Sequence, residues 1–204
     1  MNSHESVHIT GHDVGIQRGG RKVLENVEFQ IGPGDVLLVT GRNGAGKSTL
    51  LRAVAGLLAI ETGKIEFLGA EPALALHLVG HQNAIKPRQT LFENALFWAR
   101  WQGHGDASDE RAEAALEAVG LWPLLDTPAE FLSQGQRRRL ALSRLLASPR
   151  PVWLLDEPTA GLDDASRRTF ATLMTQHTAA GGLIMAATHD ALDVERPRRL
   201  ELGA

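Results

Sequence analysis

Short uncharged runs recur along the chain, and the segments between them predict an α/β fold. Residues 36–39 form an apolar, partly β-branched run that is typical of a buried strand, and residues 152–155 and 183–187 repeat that character. Residues 49–55 have the apolar spacing and the residue types of an α-helix. Another helix is predicted to begin near Asp164, between the last two runs. Because a helical crossover joins strands of the same direction, we expect a parallel arrangement.

The segments that flank the first buried run predict an antiparallel part. Residues 7–14 and 24–31 alternate apolar and polar positions around a turn at residues 18–21, as expected for two strands with one face in water. Residues 65–69 add another short strand. The prediction is therefore a core with a mixed sheet and an antiparallel β subdomain.

The middle of the chain has a helical pattern. Residues 90–101 begin with a helix-capping spacing, residues 108–119 carry an apolar stripe, and a third helix begins near residue 132 and ends before Pro149. These helices predict a helical subdomain of about residues 90–150. It is inserted into a single domain that covers residues 1–204.

Two groups of side chains in this helical segment are expected to have structural rather than functional roles. The aromatic residues of 90–101 are expected to pack in the core rather than to form a docking surface, because large aromatic side chains are usually buried. The arginine run 137–139 is expected to be a solvated helix face.

The regularly spaced histidines are likewise not expected to bind a metal or haem. His4, His8 and His12 would share a face on a helix, but the local pattern is that of a strand, so we expect surface histidines rather than a metal site. His77 and His81 alternate along a strand, and packing explains them better than haem or metal ligation.

Composition narrows the classes of partner. The net charge of −3 and the pI near 6.2 give no electrostatic reason to expect nucleic acid. The absence of cysteine excludes disulfides and thiolate chemistry. The first residues lack the pattern of a secretory signal, and no apolar run approaches the ~20 residues that span a bilayer. A role at a membrane would therefore need another chain to cross it.

A glycine-rich loop follows the first buried run. Residues 41–48 read G-R-N-G-A-G-K-S and stand between a predicted strand and a predicted helix, which is the context of a phosphate-binding loop. Backbone N–H groups and the helix N-terminus favour an anion there. Lys47 adds a positive charge, and Ser48 adds a hydroxyl for Mg²⁺.

Polar residues also follow the other two buried runs. Asp156 and Glu157 come directly after residues 152–155, and His189 follows residues 183–187. Since parallel strands end at the same edge of a sheet, we expect these side chains to share a pocket with the phosphate loop. Asp156 then helps to hold Mg²⁺, Glu157 orients or deprotonates an attacking water, and His189 senses the γ-phosphate.

Six segments in this order resemble the motifs of the ATP-binding subunits of ABC transporters, over essentially the full chain. The motifs are Walker A, the Q-loop, the signature, Walker B, the D-loop and the H-switch, which correspond to residues 41–48, Gln82, residues 132–136, residues 152–157, residues 160–163 and His189.

The resemblance implies a set of functional residues, with ATP and Mg²⁺ as cofactors. It implies catalytic roles for Glu157, His189 and Gln82, and Mg²⁺ ligation by Ser48, Gln82 and Asp156. It also implies a head-to-tail dimer in which the signature of one copy closes on ATP bound by the other. The implied nucleotide contacts are Gly41, Arg42, Asn43, Gly44, Ala45, Gly46, Lys47, Ser48, Thr49, Ser133, Gly135 and Asp163.

Within that family, residues 79–86 and 90–98 resemble the ATP-binding subunits of the haem exporter in cytochrome c maturation. This implies polytopic membrane permease partners and a peripheral position on the cytoplasmic face of the bacterial inner membrane. The sequence departs from many relatives at Gln134, where they carry glycine. It also lacks the usual adenine-stacking aromatic residue. Arg18 and an apolar residue are the candidates for the contact with the base, and the sequence leaves this contact open.

Two other functions stay open at this point. One is an ABC subunit for another cargo, such as a lipid, lipoprotein, metal or small molecule. The other is a soluble ABC clamp that acts on DNA or ribosomes. Such clamps usually carry tandem cassettes, coiled coils or basic extensions, and the sequence shows none of these.

Overall fold

The computed structural model of the chain describes residues 6–101, 108–190 and 192–203. The chain divides into two units. The first, here called the sheet unit, contains the chain up to Gly80, Arg150–Glu157 and the chain from Leu173 onward. The second, called the helical unit, contains His81–Pro149 and Pro158–Thr172.

All strands of the described residues lie in the sheet unit. They are β1 (His8–Arg18), β2 (Arg21–Ile31), β3 (Val36–Thr40), β4 (Thr62–Leu68), β5 (Leu76–Val79), β6 (Val152–Asp156), β7 (Leu183–Ala187) and β8 (Arg198–Glu201).

One sheet is parallel and has the strand order β5, β6, β7, β3, β8. In its register Leu38 faces Ala186, and Leu155 also faces Ala186, so β7 lies between β3 and β6. Strands β6 and β7 are buried along their whole length, which explains their uncharged sequences. The predicted parallel strands are confirmed. Strand β8 was not predicted, because its sequence is polar and mostly exposed.

The other sheet is antiparallel and has the order β2, β1, β4. Ile9 pairs with Ile31 on one side and with Phe67 on the other. The α/β class and the antiparallel part are as predicted. The two strand directions are separated into two sheets rather than mixed within one, because β4 returns to β1 and not to the parallel strands.

The core of the sheet unit contains apolar side chains from both sheets and from a helix. Ile9 and Ile31 of the antiparallel sheet, Leu154 and Met185 of the parallel sheet, and Leu50 of the first helix belong to one buried cluster. These side chains are fully buried, and burial of each contributes about 1.5–3 kcal/mol. This packing holds the polar residues at the ends of the parallel strands in fixed positions.

The helices of the described residues divide between the units. They are α1 (Lys47–Val54), α2 (Pro72–Ala75), α3 (Leu91–Trp101), α4 (Ser108–Ala118), α5 (Gln134–Ala147) and α6 (Asp164–Ala179). Helices α3, α4 and α5 pack against one another in the helical unit, whereas the chain passes from one unit to the other within α6.

The loop before α3 is organised by Asn94, which is 5 % exposed. Its side-chain amide donates to the carbonyl oxygens of Lys86, Gln89 and Thr90, and its oxygen accepts from the backbone N–H of Lys86. Thr90 and Glu93 form the predicted capping contacts. One buried side chain thus fixes the chain that leads from the Q-loop to α3.

The expected burial of the aromatic residues in α3 is wrong in part. Trp101 is 68 % exposed, and Phe97 and Trp98 are half-buried. Phe97 contacts both tryptophans, with ring centroids 5.3 Å and 5.7 Å apart. The buried face of α3 is instead formed by smaller residues such as Ala95 and Ala99. The small side chains on this face allow α3 to pack closely against its neighbouring helices. The large aromatic rings therefore lie outside this close contact.

The expected solvated arginine run is also wrong at one position. Arg137 is exposed and Arg139 is half-buried, but Arg138 is only 4 % exposed. Arg138 stands one turn before Ala141 and Leu142 on the buried side of α5. Helical spacing therefore assigns it to the interior face, although the run of like charges suggested solvent.

Among the spaced histidines, His12 lies in β1 and His77 lies in β5, as the strand patterns predict. His12 is exposed beside Glu28, His77 is buried in β5, and His4 lies outside the described residues. In the described part of the chain, no group of three or more His, Cys, Asp or Glu side chains is arranged to hold a metal ion. Nor does any helix there have the length and apolar character needed to cross a bilayer.

A buried histidine stacks on a tryptophan in the sheet unit. The rings of His177 in α6 and Trp153 in β6 are 3.9 Å apart at their centroids and inclined by 10°. Nε2 of His177 and Nε1 of Trp153 are buried without a hydrogen-bond partner. Burial lowers the pKa of His177 from 6.5 to about 4. The folded protein therefore holds this ring in its neutral form.

We expect acid to destabilise the fold through His177. Because its pKa is lower in the folded state, the unfolded chain binds more protons between pH 6.5 and about 4. The contribution of neutral His177 to the free energy of unfolding is fully present above pH 6.5. It is lost as the pH falls toward 4, which lowers the free energy of unfolding by about 3 kcal/mol in total. Urea unfolding from pH 7 to 4.5 measures this slope. His177→Phe should flatten it, and His81→Gln is the surface control. Equal slopes for the wild type and His177→Phe would contradict the prediction.

Candidate nucleotide site

The glycine-rich loop joins β3 to α1. Its last residue, Gly46, is the N-cap of α1 and has φ 99°, in the left-handed region. A Cβ atom there would lie 2.6 Å from Leu24 Cδ2 and 3.1 Å from Val23 Cγ1. Only glycine therefore allows the loop to pass this close to β2 and to begin the helix directly. The start of α1 then presents its backbone N–H groups and the positive end of its dipole to the loop.

Lys47 is the first residue of α1 and is 8 % exposed. Its ammonium donates to the carbonyl oxygen of Gly41 at 2.8 Å and to that of Arg42 at 3.2 Å. It also contacts Nε2 of His189 at 2.9 Å. Because an ammonium has only hydrogens to offer, Nε2 accepts in this contact. The positive charge is thus held inside the loop, where an anion would lie.

A hydroxyl and a carboxylate contact each other at the start of α1. The hydroxyl of Ser48 donates to Oδ1 of Asp156 at 3.0 Å. Asp156 ends β6 and is 6 % exposed. A hydroxyl and a carboxylate are the hard oxygen donors that Mg²⁺ prefers, so these residues fit the metal that a triphosphate brings. The α1 and β6 ends provide two of its possible ligands.

Glu157 follows Asp156 with a strained backbone. Its φ is 48°, although it is not glycine and it precedes a proline. Its N–H donates to the carbonyl oxygen of Ala187 at 2.8 Å, which ties this turn to the end of β7. Oε1 of Glu157 lies 3.7 Å from Nε2 of His189. The strained turn therefore directs a carboxylate toward the histidine that also contacts Lys47.

The structure brings five of the proposed site residues together in the sheet unit. They follow the ends of β3, β6 and β7 at one edge of the parallel sheet, and they are Lys47, Ser48, Asp156, Glu157 and His189. In the same loop Arg42, Asn43 and Gly44 are exposed, and Thr49 is buried in α1. The edge combines an ammonium, a hydroxyl, two carboxylates and an imidazole.

The signature residues lie in the helical unit. Ser133 is the N-cap of α5: its hydroxyl accepts from the N–H of Gln136, and the side chain of Gln136 accepts from the N–H of Ser133. A Cβ on Gly135 would lie 2.9 Å from the carbonyl oxygen of Gly161, so the signature and the D-loop approach closely here. The role of Gln136 was missed, although the S-x-x-Q spacing of a capping box is visible in the sequence.

The other two predicted residues of the helical unit are Asp163 and Gln82. Asp163 accepts from the N–H of Ser166 at 2.7 Å at the start of α6, and this hydrogen bond lowers its pKa. Gln82 follows β5 and is exposed. Ser133, Gly135, Asp163 and Gln82 are therefore carried by a different unit from the Lys47 cluster.

Comparison with known proteins agrees with this architecture. The sequence model of the ABC transporter family matches residues 24–160. Solved cassettes have the same fold: an ATP-binding subunit of an ABC transporter has a TM-score of 0.84 at 23 % identity and matches 95 % of this chain and 85 % of its own. A dimeric ATP-binding cassette with ADP and phosphate has a TM-score of 0.83 at 24 % identity, over 96 % and 97 % of the two chains.

Curated relatives are similar over nearly their whole length. The chain is 49 % identical to the cytochrome c biogenesis ATP-binding export protein CcmA of Chelativorans sp. (strain BNC1), over 92 % of this chain and 94 % of the relative. It is 46 % identical to CcmA of Rhodopseudomonas palustris (strain BisB5), over 96 % and 98 %. The chain therefore belongs to the ABC transporter family, and the two relatives named here are CcmA proteins. It is an ABC-type enzyme that binds and hydrolyses ATP.

Proposed function

We propose that the chain is the Mg-ATP-hydrolysing subunit of a membrane export complex that serves cytochrome c biogenesis, by exporting haem or by releasing a haem-loaded chaperone. The cluster of Lys47, Ser48, Asp156, Glu157 and His189 supports the chemistry. The similarity to CcmA proteins over more than nine-tenths of the chain supports the pathway. In this proposal, residues 1–204 form one nucleotide-binding domain with a helical subdomain at about 90–150.

Binding of the triphosphate depends on the loop and on α1. Lys47 donates to β- and γ-phosphate oxygens, and the N–H groups of residues 41–49 enclose the phosphates. Ser48 and Asp156 hold Mg²⁺, together with Gln82, whose role follows from the family resemblance alone. When bound there, Mg²⁺ would neutralise part of the negative charge of the phosphates. The hydrogen bond of 3.0 Å from the Ser48 hydroxyl to the Asp156 carboxylate is the contact that favours this assignment.

Hydrolysis depends on Glu157 and His189. A water oxygen forms a bond to the γ-phosphorus while the bond from that phosphorus to ADP breaks, and Oε1 of Glu157 accepts a proton from the water. His189 stands between this carboxylate and Lys47, at 3.7 Å from Oε1 and 2.9 Å from Nζ. Once Lys47 has turned to the nucleotide, the tautomer of His189 that carries its hydrogen on Nε2 donates to the γ-phosphate.

A second copy completes the site in this proposal. Ser133 and Gly135 at the start of α5 close on the ATP of the partner copy, where the helix N-terminus favours the γ-phosphate. The contacts between the signature of one copy and the γ-phosphate bound by the other exist only in the closed dimer, so hydrolysis removes the bias toward closure. Asp163 contributes from the D-loop. A solved cassette of the same fold is a dimer with ADP and phosphate.

The complex also needs membrane subunits. We propose that polytopic permease chains cross the bilayer and that this chain binds them from the cytoplasmic face of the inner membrane. The export function in the names of the CcmA relatives favours this arrangement. An ABC subunit for another cargo is the alternative with the same site.

Deletion of the gene for this chain tests the pathway. We expect the deletion to lower covalently haem-bound cytochrome c by about tenfold or more, while apocytochrome c is still made. Haem-stained gels and immunoblots measure the two forms. The wild-type gene should restore haem attachment, and Glu157→Gln should not. Unchanged haem attachment in the deletion strain would assign the ATPase to another cargo.

A further inference from the structure

Arg138 is a buried cation in the helical unit that the proposed mechanism does not use. It is 4 % exposed and stands in α5, which begins at the signature. Its Nε donates to the carbonyl oxygen of Pro158 at 3.1 Å, and its Nη1 donates to Oδ1 of Asn83 at 3.2 Å. A buried charge is costly unless its donors are bonded, so these contacts hold their acceptors firmly.

The acceptors of Arg138 belong to two separate motif segments. Asn83 directly follows Gln82, the Q-loop glutamine. Pro158 directly follows Glu157 and begins the segment that leads to the D-loop at residues 160–163. A guanidinium is a planar fork with fixed donor directions, so one side chain sets the position of both acceptors relative to α5. A lysine has the same charge but not this geometry.

A second contact supports this arrangement within the same unit. The close approach of Gly135 to the carbonyl oxygen of Gly161 also joins α5 to the D-loop segment. The signature, the D-loop and the residue after Gln82 are thus connected at two places. Such a connection moves them together rather than one by one.

We propose that Arg138 is a positioning residue that holds the Q-loop segment and the D-loop segment to the signature helix, so that the three motifs act as one body during ATP hydrolysis. The proposal rests on the proposed function, because Arg138 is argued to set the positions of Gln82 and the signature, and the roles of those residues come from that function. Lys47 and the phosphate loop belong to the sheet unit, so their own contacts with the triphosphate do not depend on Arg138. Turnover does, because small misplacements of catalytic groups are costly.

Arg139 provides a matched control. It is the next residue of α5, and its Nη1 donates to the carbonyl oxygens of Val119 at 3.0 Å and Gly120 at 3.1 Å. It has the same charge and also binds two acceptors of the helical unit, but those acceptors belong to no motif. A merely structural role would make the Arg138 and Arg139 variants behave alike.

The test compares Arg138→Lys with Arg139→Lys in the full chain. ATP hydrolysis is measured in inverted membrane vesicles that contain the native complex, ATP affinity with a fluorescent ATP analogue, and stability by urea unfolding. Arg138→Lys should lower kcat by about tenfold or more and change KM for ATP less than twofold. Arg139→Lys should leave kcat within about twofold. Equal kcat values for both variants, or a fall in kcat that follows lost stability in both, would overturn the proposal.

Asn83→Ala keeps the test decisive if the arginine variant folds poorly. This change removes one acceptor from a half-buried position and should lower kcat with KM unchanged. Combined with Arg138→Lys, it should add little to the loss, because both changes break the same contact. Fully additive losses would contradict the shared role. Wild-type and Glu157→Gln vesicles report separately whether the complex is an ATPase, and the gene deletion reports the pathway.

Discussion

Glu157→Gln should lower steady-state ATP hydrolysis by about 100-fold or more and leave ATP binding intact. General-base catalysis contributes about 10²–10⁴-fold, and an amide of the same shape cannot accept the proton. The position of residue 157 is fixed by its backbone, with φ 48° and an N–H bond to Ala187, so the change alters chemistry and not geometry. Phosphate release and fluorescent-nucleotide binding measure the two effects.

The same variant should accumulate the closed dimer with ATP, because binding still favours closure and hydrolysis no longer reverses it. Size-exclusion chromatography with and without Mg-ATP detects the dimer. Glu195→Gln is the control, since it makes the same change on an exposed residue of the same unit. Hydrolysis within about threefold of wild type for Glu157→Gln would reject Glu157 as the base.

Lys47→Ala should instead weaken ATP binding itself, by about 10- to 100-fold in Kd. Hydrogen bonds to charged groups are worth about 1.5–3 kcal/mol, and the ammonium of Lys47 is the buried positive charge within the phosphate loop. Titration with a fluorescent ATP analogue measures the change. Loss of the ammonium also leaves the carbonyl oxygens of Gly41 and Arg42 without this donor.

Arg52→Ala controls for the loss of a positive charge. Arg52 is exposed in the last turn of the same helix, and its removal should change Kd less than about twofold. Circular dichroism establishes that each variant is folded. An unchanged Kd for folded Lys47→Ala would show that the ammonium does not bind the phosphates.

The sheet edge of the site was predictable from the sequence because its signals are local. An uncharged run ends at a polar motif in each case, and parallel strands place such ends together. The approach of Ser48 to Asp156 follows from this rule, although the two residues are far apart in the chain. The left-handed φ of Glu157 was not predictable, since strain of this kind is maintained by the surrounding fold.

The helical unit shows where sequence patterns fail. Arg138 was assigned to solvent because its neighbours are also arginines, whereas its spacing from Ala141 and Leu145 places it on the buried side. Trp101 was assigned to the core because of its size, but the close packing of α3 is made by alanines. Burial of a side chain depends on which face meets a neighbour, and a short charge run or residue type does not determine that face.

The position of β7 between β3 and β6 has a consequence for the imidazole of His189. A side chain that follows a middle strand can reach groups on both sides. His189 contacts the ammonium that follows the flanking strand β3 and the carboxylate that follows the flanking strand β6. If β7 and the edge strand β8 exchanged places, every sequence motif would be unchanged, but His189 would be separated from Glu157. The reaction centre therefore requires the sequence motifs and, in addition, this order of the strands in the parallel sheet.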